Sequence, residues 1–371
     1  MLKVAIDNGA LEEGHRVRGI GFYSRNLVEG LSLLKSQVRV DVFSFFSEPS
    51  RVNRYDIAHY PYYDLFFNTL LTPFKIPTVV TIHDVIPLIY PKQYPKGIKG
   101  SIAFYKQKKA LKAVSAIITD TQTSKKDIVR FLDVEEKKIN VIYLAASRSY
   151  KIIKDRKILE SVIKKYGLPQ KFILYVGDIN YNKNLINLIR AIRKVGLKLV
   201  IVGKSALDIS ENNNLNDIRG PRDYLRYYLG KVHPEITHFK KLAKEFEKAG
   251  VLRLGFISNE DLAAIYNLAT FYVQPSYYEG FGLPPLEAMA SGCPVLISKT
   301  QALVEVCGDA SITFDQKQGS RDLANKLSEI VKDKKLQREL SERGIRHAAR
   351  YSWEKAALET LEVYKKLVKP K

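Results

Sequence analysis

Short apolar runs rich in β-branched residues alternate along the chain with longer segments whose apolar positions recur at helical spacing. In the first half the runs are Leu2–Asp7, Val38–Phe46, Ile57–Tyr60, Thr78–His83, Ala116–Thr119 and Ile139–Ile142. In the second they are Phe172–Gly177, Leu197–Gly203, Val251–Gly255, Thr270–Gln274, Pro294–Ser298 and Ser311–Phe314. Such alternation is the signature of a parallel sheet with helices on its faces. A chain of 371 residues exceeds the usual limit of one core, so two α/β domains in tandem are expected. The Lys-rich helical pattern Tyr150–Gly167, closed by Gly167-Leu-Pro169, reads as their join, giving domains over 1–167 and 168–350. A last segment, 351–371, opens on Ser352 as a helix N-cap ahead of Lys355, with Trp353 in a structural role.

Two stretches depart from the alternation. Lys92 to Lys112 holds seven lysines and no acidic residue, with Ile98, Ile102 and Tyr105 at helical spacing. It reads equally as an amphipathic helix lying on an anionic membrane surface and as a core-packed helix with a solvated lysine face. From Lys204 to Lys248 the spacing between strands is long, and a mobile loop is expected around 206–235. That loop is either acceptor- or partner-binding or a decorative insertion.

A hydrophobic content of 46% with 27% charged residues is that of a soluble globular protein. The net charge of +21 implies an anionic partner: nucleic acid, nucleotide-sugar phosphates or an acidic membrane surface, unless the lysines are simply solvated. No nucleic-acid-binding motif is evident, so nucleic acid is not an expected partner, and a nucleic-acid-binding protein stands only as the non-enzymatic alternative. Cys293 and Cys307 form neither a disulfide framework nor a metal-ligand spacing, which suits a cytoplasmic protein. Met1–Asp7 reads as a strand rather than a leader, and no apolar run reaches membrane-spanning length. Any membrane contact is therefore expected to be peripheral, on the inner face.

Candidate chemistry concentrates in Gln274–Ser298. Glu279 is expected just past a strand's end, and Glu287 follows across a Gly280-Phe-Gly282 turn. Pro284 and Pro285 suit the first turn of a helix ending near Gly292, which places Glu287 in that same turn. The amides of Phe281, Gly282 and Leu283 would sit at the positive end of its dipole. Carboxylates suit the hydroxyls of a polyol and amides suit a phosphate. On spacing alone, a strand–loop–helix corner with incidental glutamates fits as well. Gly19 and Gly21, in the loop after the first strand and ahead of a helix, form a candidate phosphate cradle where ligands of open α/β sheets bind. His83 ends another strand at that same edge.

The residues between the two glutamates add to this. The stretch 274–298 closely resembles the donor-sugar motif of the family 4 retaining glycosyltransferases, in which two glutamates eight apart flank Gly-Phe-Gly-Leu-Pro. Thr81-Ile-His-Asp-Val-Ile-Pro-Leu88 resembles a second segment of that family. The resemblance implies a GT-B fold: two Rossmann-like domains facing across a cleft, with the C-terminal helix crossing back to the first domain. It also implies retaining, metal-independent transfer of a hexose, with GDP-mannose as donor or, next, UDP-glucose, and no cofactor. The acceptor would be a glycolipid, a lipid-linked oligosaccharide or a polysaccharide. Glu279 and His83 would be the catalytic residues, holding and positioning the sugar. Donor-binding residues would be Gly19, Gly21, Lys183, Gly203, Phe256, Ile257, Phe281, Gly282, Leu283 and, on the ribose diol, Glu287. Where the family commonly has arginines beside the leaving diphosphate, this chain has Asp178 and Asn182, leaving Lys183 as the matching cation. No Asp-x-Asp occurs to hold a metal. A GT-B nucleotide-sugar epimerase is the enzymatic alternative.

Overall fold

The computed structural model describes residues 1–12, 19–70, 74–207 and 234–368. Most of the loop expected at 206–235 therefore lies outside the described residues.

The chain forms two compact units: Met1–Pro91 with Pro95–Ser147 and Arg350–Lys371, and Lys92–Tyr94 with Arg148–Ala349. Each unit is built on a six-stranded sheet, and every pairing in both is parallel. In the first unit the strands are β1 (Leu2–Asp7), β2 (Val38–Phe43), β3 (Ile57–Tyr60), β4 (Thr78–Thr81), β5 (Ala116–Thr119) and β6 (Ile139–Val141). Their spatial order is β2-β1-β3-β4-β5-β6. In the second they are β7 (Ile173–Val176), β8 (Leu199–Val202), β9 (Leu252–Leu254), β10 (Phe271–Gln274), β11 (Val295–Ser298) and β12 (Ile312–Phe314), in the order β12-β11-β10-β7-β8-β9. This is the doubly wound order in which the chain reverses direction between β7 and β10, leaving a crevice at their carboxyl ends. In the first sheet the reversal falls between β1 and β3.

The strands are short because each needs only to cross a core covered on both sides. β3, β4, β5, β8, β10 and β11 are buried along their whole length. The amphipathic helix Arg156–Tyr166, expected to close the first domain, belongs to the second unit. Lys165 and Tyr166 both bond Asp261 Oδ2, at 2.6 and 2.7 Å, fastening it to the helix Asn259–Leu268. The C-terminal helix Trp353–Leu367 belongs to the first unit, capped as expected by Ser352 Oγ, which accepts from the Lys355 amide at 3.1 Å. Gly30 lets this helix approach the helix Gly19–Ser32, since a Cβ there would lie 2.9 Å from Ala357 Cβ and 3.0 Å from the Trp353 carbonyl. A buried chain of hydrogen bonds ties it further: Tyr364 to His59 at 2.6 Å, His59 to Thr81 at 2.8 Å and Thr81 to Tyr23 at 2.9 Å. Burial pushes the His59 ring down to about 3, so it serves this network as a neutral imidazole. Among the described residues, no helix is long and apolar enough to cross a membrane.

Candidate functional site

The reversal between β7 and β10 places two loops side by side: Gly177–Asn184 after β7 and Pro275–Gly282 after β10. Lys183 from the first and Glu279 from the second form a two-pronged ion pair, with Nζ 2.8 Å from Oε1 and 2.9 Å from Oε2. Glu279 Oε1 also accepts from Gln274 Nε2 at 2.7 Å and from Ser276 Oγ at 2.6 Å. Gln274 is itself held, its Oε1 taking the Tyr272 hydroxyl. Oε1 is thus saturated, whereas Oε2 meets only Lys183 among the described residues and retains capacity for a ligand hydroxyl. With side chains 21% and 9% exposed, the pair lies at the rim of the core, where a ligand can reach it.

Past Glu279 the backbone turns on Gly282, at φ +100°, where a Cβ would lie 2.5 Å from Leu303 Cδ2; only glycine fits. The helix Leu283–Ala290 starts directly after it, with both prolines inside its first turn. That start corrects the expected place of Glu287. It lies in the second turn, one step deeper, because Leu283 rather than Pro284 opens the helix. Glu287 is buried and accepts from the Tyr266 hydroxyl at 3.2 Å. Burial pushes its carboxyl up to about 7, only partly offset by the Tyr266 bond. Phe281, immediately before Gly282, is buried as well.

The other expected donor residues of this unit follow the neighbouring strands at the same sheet edge. Gly203 follows β8, and a Cβ there would fall 2.3 Å from the Gly177 carbonyl, so this glycine has a packing reason of its own. Beyond β9, Ile257 is buried and Phe256 is exposed.

In the first unit, Gly19 and Gly21 lie within the helix Gly19–Ser32 rather than in a loop ahead of it. His83, just past β4, gives Nδ1 to Asp120 Oδ2 at 2.7 Å and packs edge-on against Tyr23 at 4.6 Å. Burial alone would depress the ring; the Asp120 and Asp84 carboxylates and the Pro61 carbonyl outweigh it and hold it above its ordinary value. His83 Nε2 and Asp120 Oδ1 complete no hydrogen bond of normal geometry among the described residues.

Residues 160–347, more than half of the chain, match the family Glycosyl transferases group 1, and residues 46–147 match Glycosyltransferase Family 4. The chain belongs to the glycosyl transferases group 1.

Among curated relatives, the chain is 28% identical over 78% of its length to the serotype-specific mannosyltransferase WbdA of Escherichia coli, covering 34% of that protein. It is 29% identical to the O-antigen chain mannosyltransferase B of Escherichia coli, covering 78% of this chain and 70% of that one. The chain thus spans about a third of the length of the first of these relatives. Solved structures share its GT-B fold. Sucrose-phosphate synthase from Thermosynechococcus elongatus superposes with a TM-score of 0.73 at 19% identity, covering 99% of both chains. Anabaena HepE in complex with UDP-glucose superposes at 0.71 and 15% identity, covering 99% of this chain and all of that one.

Two residues of the site were not legible in the sequence. Asp120 follows the buried strand β5, adjacent to β4, and that polar step off a strand end beside His83 was the available signal. Asn182, noted only as a missing arginine, is a buried strut. Its amide donates to Tyr94 Oη at 3.2 Å, its Oδ1 accepts from that hydroxyl at 2.7 Å, and its carbonyl accepts from the Tyr277 amide at 2.7 Å. Its Nδ2 donates to the Tyr278 carbonyl at 3.2 Å. Asn182 thereby fixes the Lys183 loop to the Glu279 loop. A cavity of about 20 Å³ lined by Tyr94, Asn180, Tyr181 and His238 lies beside this strut. It has room for about one water and is no sugar pocket.

Asp120→Asn should release the His83 ring. Burial then dominates, the pKa read by NMR titration falls, and transfer drops roughly 10²-fold as the ring loses its orientation. An unmoved titration would show that Asp120 does not set the state of His83.

Proposed function

We propose that the enzyme is a retaining, metal-independent hexosyltransferase that takes mannose from GDP-mannose and delivers it to a glycolipid, lipid-linked oligosaccharide or polysaccharide. The observation that carries this reading is the Lys183–Glu279 pair, set at a sheet's switch point ahead of the amides of a helix N-terminus. A nucleotide sugar presents hydroxyls and phosphates together, and this corner offers an acceptor and donors together. Glu279 Oε2 takes a sugar hydroxyl, and Glu287 in its ionised form takes the ribose diol. Lys183 and the 281–283 amides meet the diphosphate. His83 orients the transferred sugar.

In the reaction the bond from the anomeric carbon to the donor phosphate oxygen breaks on the face where the acceptor oxygen bonds. The acceptor's proton passes to the leaving phosphate oxygen. No side-chain nucleophile is needed, and the leaving charge is met by Lys183 and backbone donors, so the account requires no metal. The mannosyltransferase relatives favour mannose as the sugar. UDP-glucose is the second donor, supported by its place in a solved structure of the same fold. We place the enzyme on the cytoplasmic face of an anionic membrane, attached through residues 92–112.

A thermal-shift panel of sugar nucleotides tests the donor. GDP-mannose should raise the melting temperature as its concentration rises, the folded state gaining about 2.7 kcal/mol at a hundredfold excess over Kd. No shift with any nucleotide sugar would overturn the reading.

A further inference from the structure

The helix Gly97–Leu111 buries an unusual face. Gly100, Ala103, Gln107 and Leu111 point inward, while Ile98, Ile102 and Tyr105 stand 60%, 54% and 71% exposed. Their four- and three-residue spacings align them along one side, opposite the buried set. The stripe continues one turn on with Lys109 and is flanked by Lys99 and Lys106, all exposed. This orientation is locked. Gln107 Nε2 donates to the Asp64 and Phe67 carbonyls at 3.1 and 2.7 Å and to Thr69 Oγ1 at 2.9 Å, and its Oε1 accepts from the Leu70 amide at 3.2 Å. Rolling the helix to bury the isoleucines would break all four bonds in the core. Gly100 seats this face closely, since a Cβ there would stand 3.3 Å from Phe66 Cβ.

We infer that this outer face is a membrane-insertion ridge: Ile98, Ile102 and Tyr105 enter the headgroup–acyl boundary of an anionic leaflet while Lys99, Lys106 and Lys109 meet lipid phosphates. The inference rests on the membrane placement proposed above and involves no residue of the donor corner. It adds apolar insertion to electrostatic attraction, with the exposed Phe67 ring on the adjoining loop as a further apolar group. Charge selects the occupant. Residues 92–112 carry seven lysines and no acid, so a second copy of this chain pairing face to face would bring like charges together. A negative lipid surface is complementary.

Cosedimentation of the full chain with phosphatidylglycerol–phosphatidylcholine vesicles tests this. The triple variant Ile98→Ser/Ile102→Ser/Tyr105→Ser should lose vesicle partitioning by about tenfold or more, while a Lys99→Gln/Lys106→Gln/Lys109→Gln variant should bind anionic vesicles no better than phosphatidylcholine alone. Wild type should retain part of its binding at high salt, and the serine variant none. Both variants should keep the wild-type melting temperature and nucleotide-sugar shift, which separates failure of the ridge from failure of the donor site. Equal partitioning of the serine variant and wild type would overturn the ridge. So would wild type that ignores vesicles, or a wild-type dimer in sedimentation equilibrium that the serine variant abolishes.

Discussion

Glu279→Gln should lower kcat/KM by roughly 10³-fold, about 4 kcal/mol of transition-state stabilisation, while leaving a folded protein. The carboxylate gathers Lys183, Gln274 and Ser276 onto itself, so it positions the cation as well as accepting a sugar hydroxyl. An amide keeps the shape but replaces one acceptor oxygen with a donor facing Lys183 or the substrate. Removing the side chain altogether is the harsher change. Glu279→Ala leaves two buried donors, on Gln274 and Ser276, and the half-buried Lys183 without their shared acceptor, and should lower stability by about 3 kcal/mol or more as well as activity. The comparison is informative because a merely structural Glu279 would show the stability loss in Ala without the activity loss in Gln. Steady-state kinetics with the donor identified by thermal shift gives the answer, and a Gln variant within a few-fold of wild type would remove Glu279 from the reaction.

Glu287→Gln should make the donor-free protein more stable at high pH and bind nucleotide less well. Burial raises the Glu287 carboxyl from 4.5 to about 7, so between those values the folded chain holds a proton that the unfolded chain has lost. Stability from this group is therefore fully present below about 4.5, declines as pH rises through 7, and stays low above it. The difference amounts to something on the order of 3 kcal/mol. The glutamine variant escapes that decline, and its melting temperature should exceed the wild type's by a margin that grows from pH 5 to pH 8. Asp7 and His83, also raised, bear the same sign in both proteins and drop out of the difference. Donor affinity should fall about 10- to 100-fold, the worth of a hydrogen bond to a charged acceptor. A pH-independent margin would mean that Glu287 is ionised in the folded protein, and an unchanged donor Kd would remove it from the ribose.

Much of this protein was legible in its sequence, and the limits have physical causes. All twelve strands were marked, because a strand buried on both faces must be continuously apolar; their ends were overrun by one to three residues where apolar flanks continued into loops, as at Val38–Phe46 against Val38–Phe43. The Glu279–Glu287 stretch was legible through glycine and proline chemistry. Its one error, the turn holding Glu287, came from reading Pro284 as the helix start when Leu283 precedes it. Glycine's poor helix propensity favours a loop at Gly19 and Gly21, yet both lie within the helix Gly19–Ser32, whose tertiary packing overrides it. The Lys183–Glu279 pair was not visible, since 96 residues separate its members and only the switch between β7 and β10 joins them. The lysine-rich helix left two readings open. Spacing shows which residues share a face, and only the Gln107 and Phe66 contacts show which face turns inward.

The most direct measurement is a crystal structure of the enzyme with an unreactive GDP-mannose analogue, or with UDP-glucose should the thermal shift favour it. The account predicts the diphosphate on the amides of residues 281–283 beside Lys183, a sugar hydroxyl on Glu279 Oε2 and the ribose on Glu287. A nucleotide sugar bound away from the carboxyl ends of β7 and β10, with the Lys183–Glu279 pair untouched, would contradict it.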